Sequence, residues 1–133
     1  MILVDTTVWI DLFAGKKETH ITQLTDAINN KEDICICGLI ITEVLQGIKN
    51  DKDFKKTQEI LNDLIYLPAS QNTYIQAAQI YRLCRKKGIT IRKPIDCIIA
   101  SICIENTVYI LHNDRDFDHI AKHFPLQKYS AKN

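Results

Sequence analysis

Apolar residues recur along the chain in two kinds of run. Short continuous runs, Ile2-Leu3-Val4, Ile34 to Cys37 and Val108 to Leu111, are bounded by polar or turn residues and predict buried strands. Between them the apolar positions are spaced three and four apart, as on one face of a helix. That spacing predicts a helix from about 8 to 30, interrupted near Gly15, and others over 39–48 and 53–64. In 53–64 the apolar face is Phe54, Ile60, Leu61 and Leu64. Ser70 is a suitable N-cap for a helix over 71–87, whose basic last turn suits the helix dipole. Pro94 fits the first turn of a helix over 94–105, and 114–123 predicts a short final helix. Short strands are expected at 65–67 and, on an edge, at 126–129.

Strands that alternate with helices imply an α/β fold, a mostly parallel central sheet flanked by helices in three layers. The 133 residues suit one domain over 1–133, with enough apolar content, 46%, for a real core. The net charge of +1 makes no case for a nucleic-acid partner by itself; any such case rests on where charges sit. Five cysteines, an odd number among apolar neighbours, read as small hydrophobes in a reducing, cytoplasmic compartment. No charged leader precedes a long apolar stretch, and no run reaches about 20 apolar residues, so neither a signal peptide nor a membrane span is expected.

In parallel sheets functional groups gather at the carboxyl ends of the strands. Asp5 follows the first strand directly, and Asp114 and Asp116 follow the strand at 108–111. Glu43 and Asp96 lie in the first turns of two helices that start near the same edge. Five carboxylates from distant parts of the chain are thus expected at one pocket. Asp5 and Asp96 sit among apolar residues, where an acid costs free energy unless a cation compensates it. Carboxylate oxygens are hard ligands, which suit Mg2+ or Mn2+. For any one acid a helix cap or an ion pair is the plainer explanation, and Asp114 is a good N-cap. Recurrence of the same edge position is what favours a shared site.

Four segments carry a resemblance. Ile2-Leu3-Val4-Asp5-Thr6-Thr7-Val8-Trp9-Ile10-Asp11, Ile41-Thr42-Glu43-Val44-Leu45-Gln46-Gly47, Pro94-Ile95-Asp96-Cys97-Ile98-Ile99-Ala100 and Leu111-His112-Asn113-Asp114-Arg115-Asp116-Phe117 resemble, in order and spacing, the four acidic motifs of PIN-domain nucleases. The compact length and the Asp-Arg-Asp-Phe ending resemble the VapC toxins of bacterial toxin–antitoxin pairs. The resemblance implies a metal-dependent endoribonuclease, with a cognate antitoxin and often a homodimer. It implies a metal-binding quartet of Asp5, Glu43, Asp96 and Asp114. Asp116 would be a fifth acid, ligating directly or through water, and Thr6 or Thr7 would support the site. Asp5, Asp96 and Asp114 are assigned to the metal; Glu43 would hold a water or act as general base. Cleavage would leave a 5′-phosphate and a 3′-hydroxyl. His112 departs from the pattern, since relatives often carry Thr or Ser there.

No acid occurs between Asp63 and Asp96, and this gap holds Arg82, Arg85, Lys86, Lys87, Arg92 and Lys93. Arg82, Arg85, Lys86, Arg92 and Lys93 are candidate contacts to RNA phosphates beside the metal, against the plain alternative of a solvated helix end. Tyr74 and Tyr81 are weaker candidates for base stacking. The RNA is not specified: tRNA, rRNA and mRNA are all compatible.

Other chemistries fit poorly. His119 and His123 have zinc-helix spacing but lack the accompanying Glu. There is no nucleophile elbow and no Gly-rich phosphate loop. A phosphoacceptor receiver needs an acid after its central strand, where this chain has Gly38 and Leu39. A housekeeping RNA-processing nuclease and a non-catalytic acidic-pocket binding module stay open as alternatives. Trp9, Leu12, Phe13, Leu39, Ile40, Val44 and Leu45 serve either the core or a dimer face.

Overall fold

A computed structural model describes residues 1–130 of the chain. The expected domain over 1–133 therefore includes three residues, 131–133, outside the described ones. Among the described residues, four parallel strands form the sheet: β1 (Ile2–Val4), β2 (Ile34–Ile36), β3 (Ile65–Tyr66) and β4 (Tyr109–Leu111), in the order β3-β2-β1-β4. β1 is central, with Leu3 opposite Cys35 on one side and Ile110 on the other. Ile2, Leu3 and Val4 are all buried, as expected of a strand covered on both faces.

Among the described residues, seven helices connect and cover the strands: α1 (Thr6–Phe13), α2 (Thr19–Asn29), α3 (Gly38–Leu45), α4 (Asp51–Asn62), α5 (Gln71–Lys86), α6 (Ile95–Asn106) and α7 (Arg115–Ala121). This is the expected α/β architecture, with differences at the boundaries. The helix expected over 8–30 is two helices, divided at Gly15, whose φ of +72° is open to glycine at little cost. α1 also starts earlier than expected, at Thr6, so Asp5 occupies its N-cap. α4 starts at Asp51 because the Asn50 side chain accepts from the backbone of Lys52 and Asp53. α5 is held by a reciprocal box between Ser70 and Thr73. The expected edge strand at 126–129 shrinks to one parallel bridge between Ile110 and Lys128.

The core contains all five cysteines, unpaired and buried. Trp9, Ile40 and Val44 are buried in it as well, so a dimer face drawn from α1 and α3 comes down to exposed Phe13 with half-buried Leu12, Leu39 and Leu45. On α4 the expected apolar face divides: Leu61 and Thr57 are buried, but Phe54 and Ile60 stay exposed. Ile60 instead lines an open groove of about 470 Å³ between α1, α3 and α4, with Ile10, Phe13, Val44 and Ile48. No helix among the described residues is long and apolar enough to cross a membrane.

Candidate active site

β1 and β4 end side by side, joined by the Asp5 amide, which donates to the Leu111 carbonyl. The chain then turns into α1 from the first strand and toward α7 from the second. That turn delivers Asp5 and Asp114, each at an N-cap, to one rim of the sheet. α3 brings Glu43 from the β2 side, and the first turn of α6 brings Asp96. Asp5, Glu43, Asp96 and Asp114 line one pocket of about 180 Å³, together with Thr6, Thr7, Ile10, Gln46 and Lys93. The four motifs, far apart in sequence, therefore meet.

Asp5, Glu43 and Asp114 each have one oxygen held by a side-chain or backbone donor. Thr7 Oγ1 donates to Asp5 Oδ2 at 2.9 Å, and Thr6 Oγ1 donates to Glu43 Oε1 at 3.0 Å. Asp114 Oδ1 accepts from the Asp116 amide at 2.9 Å and from Arg92 Nη2 at 3.0 Å. Asp96 is different. It is buried, and its Oδ2 has no hydrogen-bond partner among the described residues. A buried polar atom without a partner carries a desolvation penalty of about 1–3 kcal/mol, more when charged.

The electrostatics follow from this crowding. Burial pushes the Asp96 carboxyl up to about 7, with Asp5 and Asp114 adding to the effect and Lys93 opposing it. Burial also raises Asp5 above the usual carboxylate range, against the Thr7 hydroxyl and the Thr6 amide, which favour its ionised form. Acids crowded this way, with one unpaired buried oxygen, form a hard-oxygen donor set that a divalent cation fits. Asp96, Asp114 and Asp116 also present oxygens all within 4.8 Å of one another.

Asp116 is nearly inaccessible and lies outside the pocket lining. Its Oδ2 accepts from the Arg92 amide at 3.1 Å and from Arg92 Nε at 3.3 Å. His112 is buried and its Nδ1 accepts from the Asp114 amide at 3.1 Å. Burial holds that imidazole down to about 4, so it is neutral near pH 7.

The basic candidates separate. Lys93 is at the pocket and Arg92 beside it, on Asp114 and Asp116. Arg82, Arg85 and Lys86 are exposed on the last turns of α5, outside the pocket lining. Arg82 bonds to Gln79, and Arg85 lies over the Tyr81 ring. Tyr74 is exposed, whereas Tyr81 is half-buried against the core. His119 and His123 form no metal cluster among the described residues. Sequence reasoning did not single out Gln46 as part of the pocket, although its place three residues after Glu43 puts both on one helix face.

Comparison with known proteins agrees with this architecture. A family model described as PIN domain matches residues 2–123. The VapC ribonuclease Mb1587 of Mycobacterium bovis and the ribonuclease VapC11 of Mycobacterium tuberculosis are each 32% identical over 134 residues, covering 99% of this chain and 100% of theirs. Among solved structures, VapBC2 from Rickettsia felis, bound to a DNA fragment from its promoter, superposes with a TM-score of 0.76 at 19% identity, covering 97% of this chain and 98% of that one. At that identity the likeness establishes the fold.

Proposed function

The chain belongs to the PIN-domain family, and from this we propose that it is a metal-dependent endoribonuclease, the toxin of a toxin–antitoxin pair. The observation that carries the reading is the buried, partnerless Asp96 oxygen among converging carboxylates. Such a set is unfavourable alone and favourable around a cation.

Asp5, Asp96 and Asp114 would hold the ion, Mg2+ or Mn2+. When bound, it supplies Lewis-acid stabilisation of charge on the scissile phosphate. Glu43, fixed by Thr6, accepts a proton from the attacking water. The water oxygen bonds to phosphorus, the bond from phosphorus to O3′ breaks, and the leaving O3′ takes a proton from solvent, which leaves a 5′-phosphate and a 3′-hydroxyl. Thr7 keeps Asp5 oriented and ionised. Asp116 braces Asp114 through its amide. Lys93, at the pocket, meets the substrate phosphate, and Arg82, Arg85 and Lys86 extend a cationic path along α5. The substrate is RNA, with tRNA, rRNA and mRNA as the classes to compare. Cleavage of any of these stops translation.

The antitoxin reading draws on solved relatives that are toxin–antitoxin complexes. The apolar groove that adjoins the acidic pocket at Ile10 suits a protein partner that covers both. A homodimer through Phe13 and its half-buried neighbours is compatible with this arrangement.

The test is cleavage by the purified chain of each RNA class with EDTA, Mg2+ or Mn2+, with the ends mapped. Cutting that needs the cation and is lost in Asp5→Asn and Asp96→Asn supports the reading. Equal cutting in EDTA, or retained cleavage in both variants, overturns it. Growth arrest on expression, relieved by a neighbouring small gene, separates a toxin from a housekeeping nuclease.

A further inference from the structure

Asp96 and Asp114 belong to two overlapping groups of acids, each a candidate cation position. One is the pocket these acids form with Asp5 and Glu43. The other lies toward Asp116, where Asp96, Asp114 and Asp116 present oxygens within 4.8 Å of one another. Two of these three acids, Asp114 and Asp116, already have a cationic partner within the protein. Arg92 Nη2 donates to Asp114 Oδ1 at 3.0 Å, while Arg92 Nε and the Arg92 amide donate to Asp116 Oδ2 at 3.3 and 3.1 Å.

We propose that the Arg92 guanidinium, held by Asp114 and Asp116, takes the place of a second cation, so that the chain holds one divalent ion in the pocket and Asp116 is not a ligand. The inference rests on the nuclease reading above, since the ion is the one assigned there. A guanidinium does not lose its proton in proteins, and its planar fork can span two carboxylates as a bridging ion would. Asp114 Oδ1 receives both Arg92 and the Asp116 amide, which leaves Oδ2 as its oxygen for the pocket. The Asp116 side chain is only 4% exposed, so in the folded chain its charge is balanced by the protein's own Arg92. A second divalent ion here would have to break these bonds and sit against a fixed positive charge. Arg92 thus lies in a run that suggests phosphate contact, yet its guanidinium is committed to the protein's own acids.

The experiment is Mn2+ titration of the metal-free full-length chain, read by calorimetry and by the spin-resonance signal of free Mn2+. The wild type is expected to bind one ion. Arg92→Met removes the charge and is expected to admit a second, weaker ion; Arg92→Lys keeps the charge and is expected to bind one. Adding Asp116→Asn to Arg92→Met should return the count to one. Asp116→Asn alone guards against a misfolded Arg92→Met, and should leave the affinity for the single ion unchanged. Two ions in the wild type overturn the inference. So does an unchanged count in folded Arg92→Met, or a loss of affinity in Asp116→Asn of about tenfold or more, the size expected on disturbing a metal site. In those cases the nuclease reading stands. No ion bound by the wild type overturns both.

Discussion

Thr6 Oγ1 donates to Glu43 Oε1 across 3.0 Å and so ties the first turn of α1 to α3, 37 residues along the chain. This bond restrains the Glu43 carboxylate, because it engages one of its two oxygens. Partners that orient a site carboxylate typically matter about 10–100-fold in metal affinity or activity. Thr6→Val keeps the shape and removes the donor. Cleavage should fall by about 10-fold or more, and stability by about 0.5–1.5 kcal/mol. Thr6→Ser should restore most of both. Equal cleavage rates for Thr6→Val and the wild type would mean that Glu43 needs no such support.

Asp96 and His112 give the metal-free chain two opposed expectations in pH. Asp96 titrates near 7 in the folded state, against about 3.9 in an unfolded chain. The folded state therefore holds the extra proton between these values, and stability is lost as pH rises through them. His112 titrates near 4 when folded, against about 6.5 when unfolded. There the unfolded state holds the extra proton, so stability is gained as pH rises from 4 to 6.5. Asp96→Asn removes the first dependence and leaves the second. Urea unfolding in EDTA should show the variant gaining on the wild type with rising pH, by at most about 1.4 kcal/mol per pH unit. Parallel curves for the two proteins would show that Asp96 is ionised throughout.

How far such features can be foreseen depends on whether their cause is local. The run Ile2-Leu3-Val4 ending at Asp5 announces a buried strand with an acid at its carboxyl end, and the fold honours it. Asp96, two residues after Pro94, is placed by the same local grammar. Arg92 is not. In sequence it is one more cation in a basic stretch, and only the packing of the α5–α6 connection against α7 presents it to acids 22 and 24 residues away. Phe54 and Ile60 follow helical spacing as well as any core residue, yet spacing cannot reveal that α4 buries a narrow edge and leaves a groove beside it. Gln46 became part of the site through its neighbour Glu43, a relation that one helix turn would have disclosed.

A buried histidine holds the bend between α1 and α2. His20 Nε2 lies 2.7 Å from Asp11 Oδ2, and its Nδ1 lies 3.5 Å from Glu18 Oε2. Lys16 adds a contact to Asp11 at 3.4 Å, and His20 is the chief reason the Asp11 carboxyl lies below its usual range. His20→Leu fills much of the space but leaves buried Asp11 without its main partner. The loss of stability should be about 1–3 kcal/mol, with His20→Gln less affected because it keeps a donor. Thermal unfolding checks this. Cleavage well below the transition should be untouched, since neither residue lines the acidic pocket. A His20→Leu chain as stable as the wild type would show that the pair contributes nothing net.

The cationic path along α5 makes a prediction in ionic strength. Arg85 and Lys86 are exposed, and both lie on the helix whose end leads through Lys93 to Asp96. If each meets a phosphate, each releases a counterion on binding, and the logarithm of affinity falls with the logarithm of salt by about 0.7 per contact for a single strand. Arg85→Gln with Lys86→Gln should therefore flatten the salt dependence by about 1.4, twice that per-contact value. Affinity should fall similarly for all RNA sequences, since phosphates carry no sequence information. Lys17→Gln, an exposed lysine in the bend after α1, is the control for a general loss of charge. Fluorescence anisotropy with a metal-free Asp96→Asn background keeps the RNA intact during the measurement. If the double variant and the control show the same slope as their parent, the basic end of α5 is a solvated helix terminus and the RNA reaches the acids by another route.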